Sequence, residues 1–317
     1  MGNSSVITID CNYIAPKIAA SYLLVHEGLA VFIENNTRFA VPLMLQALSR
    51  QGLHPEDVEY AVITHVHLDH AGGSAALMEA CPNATLLCHP RAARHVIDPT
   101  RLVAGACDVY GTARFEQLYG CVDPVAAERV RSMGDGQVID WHGRELQFIH
   151  TPGHASHHMI MVDSISDSVF TGDAFGVSYP PLQINGTLVL PTSPPTDFDP
   201  ELSRQSVRLI MDTGCRQVFP THFGQIADPQ EAADQLISGF DFLENLLLQT
   251  EERLRFGVST EHLQQECFQS LRSRVGEQTA IHGIVLKRQD WRLLELDIEL
   301  NSQGIVFAAD RRVKKST

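Results

Sequence analysis

The sequence predicts a layered α/β fold followed by a helical C-terminal region. Short runs of apolar, often β-branched residues alternate with segments of helical spacing through the first two thirds of the chain. Helical spacing then prevails from Asp228, a helix-capping residue that is followed by Pro229 at the first helical position. We therefore expect an α/β domain over residues 1–227 and a helical region over residues 228–317.

Each strand is predicted from a short apolar run, and each helix from apolar residues that recur every three or four positions. The predicted strands are residues 6–9, 20–25, 30–34, 60–64, 84–88, 145–149, 168–173 and 217–222. The predicted helices cover residues 38–51, 74–80 and 291–309, and others begin near residues 90, 200, 228 and 260. Gly52 ends the first helix. Gly304 interrupts the last one, and residues 293–300 alternatively form a strand because their apolar residues alternate.

Residues 98–136 break this alternation and are predicted to form a helical insertion. They carry three aromatic residues, Tyr110, Phe115 and Tyr119. Two roles are open for these side chains. They line a substrate pocket, or they pack the insertion against the sheet.

A dense group of metal-ligand side chains follows the strand at residues 60–64. His65, His67, Asp69 and His70 fall within six residues. The pattern places them in a loop between a strand and a helix. Because alternate side chains of an extended loop project to one side, we expect His65 and His67 to converge on one cation. Asp69 and His70 then turn towards a second, neighbouring cation.

Two cations need more ligands than this segment offers, and three later strand ends supply candidates. His154 lies in the turn after one predicted strand, and Asp173 and His222 each end another. Any one of them alone is an ordinary turn residue. The repeated order of strand and then ligand indicates a common metal site.

Together these motifs resemble the metallo-β-lactamase superfamily, in its binuclear hydrolase branch. They are H-x-H-x-D-H at 65–70, T-P-G-H at 151–154, T-G-D at 171–173 and P-T-H at 220–222. The resemblance implies a four-layer αββα sandwich that forms a catalytic domain over residues 1–227, with a helical appendage over residues 228–317. It also implies ligand roles. The first metal is held by His65, His67 and His154, the second by Asp69, His70 and His222, and Asp173 bridges the two.

The ligand set predicts a binuclear metal-dependent hydrolase in which a metal-bridging hydroxide attacks a small ester, thioester or lactone. Two divalent ions that share a water lower its pKa towards about 7 and polarise the substrate oxygen, so no Ser or Cys nucleophile is needed. Asp69 or Asp173 takes up a proton and returns it as the leaving group departs. Zinc is the expected metal, and iron or manganese also suits nitrogen and oxygen ligands.

Differences from other branches of the superfamily narrow the reaction. Flavodiiron oxidoreductases carry Glu where this chain has His67, and true β-lactamases lack the carboxylate of Asp173. Acyl-homoserine lactonases place a Tyr where this chain has Gly176. The Cys-Gly-Arg segment of persulfide dioxygenases and the basic glutathione-binding segment of hydroxyacylglutathione hydrolases are not recognisable. The open alternatives are a phosphodiesterase, a di-iron oxygen-handling protein and a regulatory protein with a vestigial metal site.

The segment after Asp173 is rich in proline, which stiffens a loop, and it is predicted to form a substrate wall. Phe175 and Tyr179 are the candidate pocket residues. Tyr179 either donates a hydrogen bond to a substrate oxygen or is buried and satisfied by the backbone. His157 and His158 either support a metal ligand or cap a strand.

The composition of the chain limits its possible binding partners and its cellular compartment. The 317 residues carry a net charge of −14, which argues against nucleic acid as the substrate. Seven scattered cysteines without a C-x-x-C pair indicate reduced thiols. Residues 1–6 do not resemble a signal peptide, and no apolar run has the length of a membrane span. We expect a cytoplasmic enzyme of a small-molecule substrate, with a candidate homodimer contact through the C-terminal helices.

Overall fold

The structure, a computed structural model, describes residues 6–316 and the side chains of residues 6–315. Residues 1–5, on which most of the signal-peptide prediction rests, lie outside the described residues. The chain forms two compact units. One holds the residues up to His150 with His157–Gly172 and Cys215–Gln225, and the other holds Thr151–Ser156, Asp173–Gly214 and the residues from Ile226 onward. The predicted boundary between residues 227 and 228 stays a prediction.

The first unit contains a six-stranded mixed sheet. In spatial order its strands are β1 (Ile7–Asp10), β2 (Ala20–His26), β3 (Leu29–Ile33), β4 (Val58–Val62), β5 (Thr85–Cys88) and β6 (Val130–Ser132). β1, β2 and β3 pair antiparallel, whereas β3 to β6 pair parallel. The carboxyl ends of β3, β4 and β5 therefore lie at one edge, and the residues that follow them are close in space.

A second sheet faces the first. Its strands, in spatial order, are β11 (Gln217–His222), β10 (Ser168–Val177), β9 (Met159–Asp163), β8 (Arg144–His150) and β7 (Val138–Trp141). The facing sides of the two sheets form a core within the first unit, where Tyr22 and Val62 of the first sheet pack with Trp141, Phe148 and Phe170 of the second. The Tyr22 hydroxyl donates a hydrogen bond to the Pro220 carbonyl oxygen, which satisfies its only buried polar atom.

Helices cover the other face of the first sheet. The helices of the first unit are α1 (Val41–Arg50), α2 (Leu68–Ala71), α3 (Ser74–Ala80), α4 (Pro90–Ile97), α5 (Thr100–Tyr110) and α6 (Thr112–Tyr119). Met44 of α1, Leu77 of α3 and Val96 of α4 pack with Phe32 and Leu86 of the sheet. The first unit thus has a helical layer and two facing sheets, as the layered prediction requires.

The predicted insertion is not wholly helical. Its helices α5 and α6 agree with the prediction, but its end forms β6, which pairs parallel with β5. The prediction missed β6 because Val130 is the only apolar residue among its three. A strand this short is held by its ladder hydrogen bonds and carries no apolar period of its own.

Four helices, α7 (Pro200–Asp212), α8 (Pro229–Arg255), α9 (Thr260–Ile281) and α10 (Arg288–Ser316), belong to the second unit. The Asp228 side chain caps α8 by accepting a hydrogen bond from Glu231 N at 3.0 Å, as its sequence predicts. α7 packs on α8, and α10 packs on both α8 and α9. Arg204 of α7, 7% exposed, pairs with Asp241 and Glu244 of α8 at 3.0 and 2.7 Å. Within residues 6–316, no helix has the length and apolar character needed to cross a membrane.

Gly304 lies inside α10 and does not interrupt it, so the predicted break and the alternative strand at residues 293–300 are both wrong. A Cβ at Gly304 would overlap the Ser193 carbonyl oxygen and would lie 2.7 Å from the Pro194 carbonyl carbon. One turn earlier, the Asn301 Oδ1 accepts a hydrogen bond from Ser193 N at 2.6 Å. The glycine therefore permits a close approach of two backbones and does not end the helix.

We expect Gly304→Ala to lower the free energy of unfolding by about 1–3 kcal/mol, because the added methyl group must displace the backbone at Ser193. The helix propensity of alanine, which is worth up to about 1 kcal/mol, does not offset this overlap. Urea unfolding followed by circular dichroism measures the change in midpoint and slope.

Gly276→Ala in α9 is the matched control. Its added Cβ would meet only ring atoms of Trp291 at 3.8 and 4.0 Å, which is ordinary contact. We expect this variant to be unchanged or more stable by up to about 1 kcal/mol. The close-approach interpretation of Gly304 is wrong if the two substitutions shift the unfolding midpoint equally.

Candidate metal centre

The metal-ligand segment begins at His65, three residues after the end of β4, but is not an extended loop. His67 precedes a one-turn helix, α2, in which the His67 carbonyl oxygen accepts hydrogen bonds from His70 N at 3.0 Å and Ala71 N at 2.9 Å. The predicted extended geometry is therefore wrong for Asp69 and His70, which lie on the helical turn. A single turn is too short to show an apolar period, so the sequence could not reveal it.

The backbone after β3 holds this turn in place. Asn35 N and Asn36 N both donate to the His70 carbonyl oxygen at 3.0 Å, and the Asn36 side chain donates to the Asp69 carbonyl oxygen at 2.7 Å. Gly73 allows the approach, because a Cβ there would lie 2.6 Å from the Asn35 carbonyl oxygen. The turn therefore packs directly on residues 35–37.

Glu34, 1% exposed, links both ends of the ligand segment. Its Oε1 accepts a hydrogen bond from Thr64 N at 2.9 Å, and its Oε2 lies 3.1 Å from His70 Nδ1. A carboxylate only accepts, so Nδ1 of His70 carries the proton and Nε2 is the basic nitrogen. This is the arrangement by which carboxylates orient histidine ligands of metals.

Three side chains of the first unit form a compact ligand group. The Oδ2 of Asp69 lies 3.7 Å from His70 Nε2 and 3.4 Å from His222 Nε2. The candidate ligand atoms of these residues all lie within 4.8 Å of one another. The Nδ1 of His222 donates to the Ile18 carbonyl oxygen at 2.8 Å, which again directs Nε2 towards the carboxylate. Two ligands of a tetrahedral zinc, each about 2.0 Å from the ion, lie about 3.3 Å apart, so this geometry fits a shared cation.

His65 and His67 lie beside this group in the first unit. The ring centroid of His65 is 4.5 Å from that of His67 and 4.0 Å from that of His70. The His65 Nδ1 lies 3.0 Å from the Thr64 hydroxyl. His157 and His158 are also close, with centroids 6.2 and 5.0 Å from His65. Their supporting role stays a prediction.

The second unit holds the other two predicted ligands, His154 and Asp173. Both are buried, and His154 Nε2 lies 3.5 Å from Asp173 Oδ2. The Nδ1 of His154 lies 2.9 Å from the Thr192 hydroxyl. As for His70 and His222 in the first unit, a hydrogen-bond partner within the protein holds Nδ1 of His154, and Nε2 faces a carboxylate. The ligand roles of all seven predicted residues stay predictions.

The two candidate pocket residues are buried in the second unit. Phe175 is 0% exposed, and the Tyr179 hydroxyl donates to Asp297 Oδ2 of α10 at 2.9 Å. Tyr179 is therefore satisfied within the protein, but by a side-chain carboxylate and not by the backbone, as the second of the two predicted roles required. Contact of either residue with a substrate stays a prediction.

The insertion packs on the metal-ligand segment. Phe115 and Tyr119 of α6 form a buried cluster with Leu68, the residue between His67 and Asp69. Tyr13, in the loop between β1 and β2, borders this cluster, and its hydroxyl donates to that of Tyr119 at 3.2 Å. The packing role considered for the aromatic residues of the insertion is therefore present, and it places the insertion next to the candidate ligands.

Sequence reasoning missed Glu34, Thr192, Ile18 and Tyr13. A signal existed for Glu34, because an acidic residue that follows an apolar strand is costly to bury without a partner, and pairing of that strand with β4 puts Glu34 beside Thr64. Thr192 and the Ile18 carbonyl oxygen carried no signal. Their contacts join positions far apart in the chain, and backbone oxygens are present at every residue.

Comparison with known proteins identifies the family. Residues 16–222 match the sequence profile of the Metallo-beta-lactamase superfamily. The chain belongs to this superfamily. Its members are mostly metal-dependent hydrolases, and the His and Asp groups described above are able to bind metal, as the sequence predicted.

Individual relatives of this superfamily are distant. The Metallo-beta-lactamase fold-containing protein ST1585 of Sulfurisphaera tokodaii is 25% identical over 229 residues, which are 70% of this chain and 80% of that protein. Its solved structure aligns with a TM-score of 0.66 over 96% of this chain and 99% of that one at 20% identity, and this confirms the predicted four-layer fold with C-terminal helices.

Two catalytic relatives match over shorter stretches. The Atrochrysone carboxyl ACP thioesterase of Aspergillus fumigatus is 26% identical over 189 residues, 58% of this chain and 44% of that protein. The Hydroxyacylglutathione hydrolase of Aeromonas hydrophila is 28% identical over 138 residues, 44% of this chain and 40% of that protein. The matched region is less than half of each of these two enzymes.

We expect Glu34→Gln to weaken metal binding about 10- to 100-fold. The amide has one oxygen, which Thr64 N requires, so its NH₂ group turns towards His70 Nδ1. His70 must then accept at Nδ1 and carry its proton on Nε2, the nitrogen that faces Asp69. Competition with a chromophoric chelator measures the affinity for zinc.

Glu59→Gln is the matched control. Glu59 is also paired with a histidine, since its Oε2 lies 3.0 Å from His142 Nε2, but neither residue belongs to the candidate ligand groups. We expect zinc affinity to be unchanged in this variant. Equal zinc affinity in wild type and Glu34→Gln would contradict the orienting role of Glu34.

Proposed function

We propose that this chain is a binuclear metal-dependent hydrolase of a small ester, thioester or lactone. The observation that carries the proposal is the group formed by Asp69, His70 and His222, whose ligand atoms have the spacing of a metal shell. Membership of a superfamily of mostly metal-dependent hydrolases supports the reaction class. The names of the thioesterase and of the hydroxyacylglutathione hydrolase support an acyl substrate.

This proposal assigns the seven predicted ligands to two ions. His65, His67 and His154 would hold one divalent ion, Asp69, His70 and His222 would hold the other, and Asp173 would be a ligand of both. Zinc is the first candidate metal, and iron and manganese are alternatives. When bound, two such ions lower the pKa of a shared water towards about 7 and polarise the substrate oxygen.

The protein's own contribution is orientation and proton transfer. Hydrogen bonds from Nδ1 to Glu34 and to the Ile18 carbonyl oxygen fix His70 and His222 before substrate arrives, which avoids reorganisation during the reaction. The Asp69 side chain is 25% exposed, so solvent reaches it. Asp69 or Asp173 accepts the proton that the attacking water loses and returns it to the leaving group.

We expect Asp173→Ala to lose at least one metal per chain and to lower kcat/KM at least about 100-fold, since it removes both the bridging ligand and a proton acceptor. The measurement is elemental analysis of the purified protein together with turnover of an ester, a thioester, a lactone and a phosphodiester. Retention of two metals and of full turnover by Asp173→Ala would contradict the bridging role of Asp173.

Asp212→Ala, which removes an exposed carboxylate at the end of α7, is the control and should keep metal and activity. The same panel separates the other functions. Selective turnover of the phosphodiester would indicate a phosphodiesterase. Two irons without hydrolysis would indicate oxygen chemistry, and little metal without turnover would indicate a regulatory protein.

A further inference from the structure

A cleft of about 310 Å³ lies beside the metal-ligand segment in the first unit. We call it the Arg114 cleft. It is bounded by the loop between β1 and β2, by the residues before α1 and by α6, and its lining residues are Cys11, Asn12, Tyr13, Ile14, Thr37, Phe39, Arg114, Gln117 and Leu118. Its volume falls within the range of about 300–1,000 Å³ that is typical of small-molecule sites.

Tyr13 connects the cleft to the candidate metal centre. It lines the cleft, and its hydroxyl is bonded to that of Tyr119, which packs on Leu68. Burial raises the pKa of both phenols, and the charge of the Asp69 carboxylate raises both further. Both hydroxyls are therefore neutral.

The hydroxyl groups of Tyr13 and Tyr119 together carry one proton more than the hydrogen bond between them requires. Two hydroxyl groups carry two protons, and the hydrogen bond between Tyr13 and Tyr119 employs one of them. Across residues 6–316 neither hydroxyl has another acceptor. The unused proton belongs to the Tyr119 hydroxyl, which is buried and is not part of the cleft lining, so the pair serves to hold Tyr13 in place.

Arg114 supplies a positive charge to the same cleft. Its Nη1 donates to Gln117 Oε1 at 2.8 Å, and this is its one hydrogen bond to the part of the chain that the structure describes. No acidic side chain among residues 6–316 forms an ion pair with it. A guanidinium offers five N–H donors in a plane and binds a carboxylate through two parallel hydrogen bonds. A cation without an acidic partner is a favourable place for an anion.

Two large apolar side chains, Ile14 and Phe39, are part of the lining of the cleft. Ile14 is 49% exposed and Phe39 is 55% exposed, although both are large hydrophobic side chains. A bound molecule that covers them removes apolar surface from water, which is favourable at roughly 25 cal/mol per Å². The cleft thus combines exposed apolar side chains with a cationic side chain.

We propose that the Arg114 cleft binds a small carboxylate with an apolar body, its carboxylate on Arg114 and its apolar part between Ile14 and Phe39. If the bound molecule is the substrate, this inference rests on the proposed hydrolase function. It then narrows the substrate class to acyl compounds that carry a carboxylate in addition to the bond that is cleaved. Binding of a carboxylate to the Arg114 cleft does not itself depend on catalytic turnover.

Phenylacetate and its neutral isostere phenylacetamide are the probes, titrated by calorimetry into the full-length, metal-loaded protein. We expect Arg114→Gln to weaken phenylacetate binding about tenfold, because it removes a charge-assisted pair of hydrogen bonds, and to leave phenylacetamide unchanged. Arg114→Lys keeps the charge without the planar fork and should give an intermediate loss. Equal thermal midpoints show that the variants are folded.

Arg101→Gln is the matched control, since it removes one positive charge from the same insertion without changing the cleft lining. It should bind both probes as the wild type does. Equal phenylacetate affinity in wild type and Arg114→Gln overturns the proposal, and this is the result expected if the carboxylate binds to the metals. Absence of phenylacetate binding to the wild type also overturns it.

Activity is a separate arm of this test. If the hydrolase proposal holds, Arg114→Gln should raise KM for an ester that carries a carboxylate, with little change in kcat and no change for a neutral ester. If the wild type hydrolyses nothing, the hydrolase proposal fails, and the calorimetric result still decides whether the cleft binds carboxylates.

Discussion

The candidate metal centre depends on one buried carboxylate. Glu34 is almost completely shielded from water, and a charge in that position is stable only when strong donors surround it. Its two oxygens are used by Thr64 N, where the ligand segment begins, and by His70 Nδ1, near its end. The same short stretch of chain binds the His70 carbonyl oxygen through Asn35 N and Asn36 N. These four contacts fix the position, the tautomer and the orientation of His70 together.

The fold and the ligand candidates could be predicted because their signals are local. A strand such as β4 is a short apolar run, and His65, His67, Asp69 and His70 follow it within a few residues. The wrong or missing parts have a different origin. The helical turn α2 and the strand β6 are too short to carry a period, and they form because neighbouring backbones offer hydrogen-bond partners.

Contacts between distant positions explain the remaining misses. Gly304 has the sequence signature of a helix break, and only the approach of residues 193–194 shows that it is a contact site. The hydrogen bond from His222 to the Ile18 carbonyl oxygen joins residues 204 positions apart, and that oxygen has no signature at all. Such contacts follow from the packed fold, so a pattern within one segment cannot reveal them.

The proposed Arg114 cleft and the candidate metal ligands are connected at two points of the first unit. The loop between β1 and β2 lines the Arg114 cleft through Tyr13 and Ile14, and at Ile18 it holds His222. The insertion provides Arg114 to the cleft and packs Tyr119 on Leu68, between two candidate ligands. Side chains that contact only the cleft, such as Arg114, can change without disturbing the ligands. Leu68 and Tyr13 lie between the cleft and the metal-ligand segment. They cannot change as freely, because their packing also positions the segment that carries Asp69. Substitutions on the outer face of α6 can therefore change the ligand preference of the cleft most easily. The residues that contact α2 and β11 are constrained, because they also position candidate metal ligands.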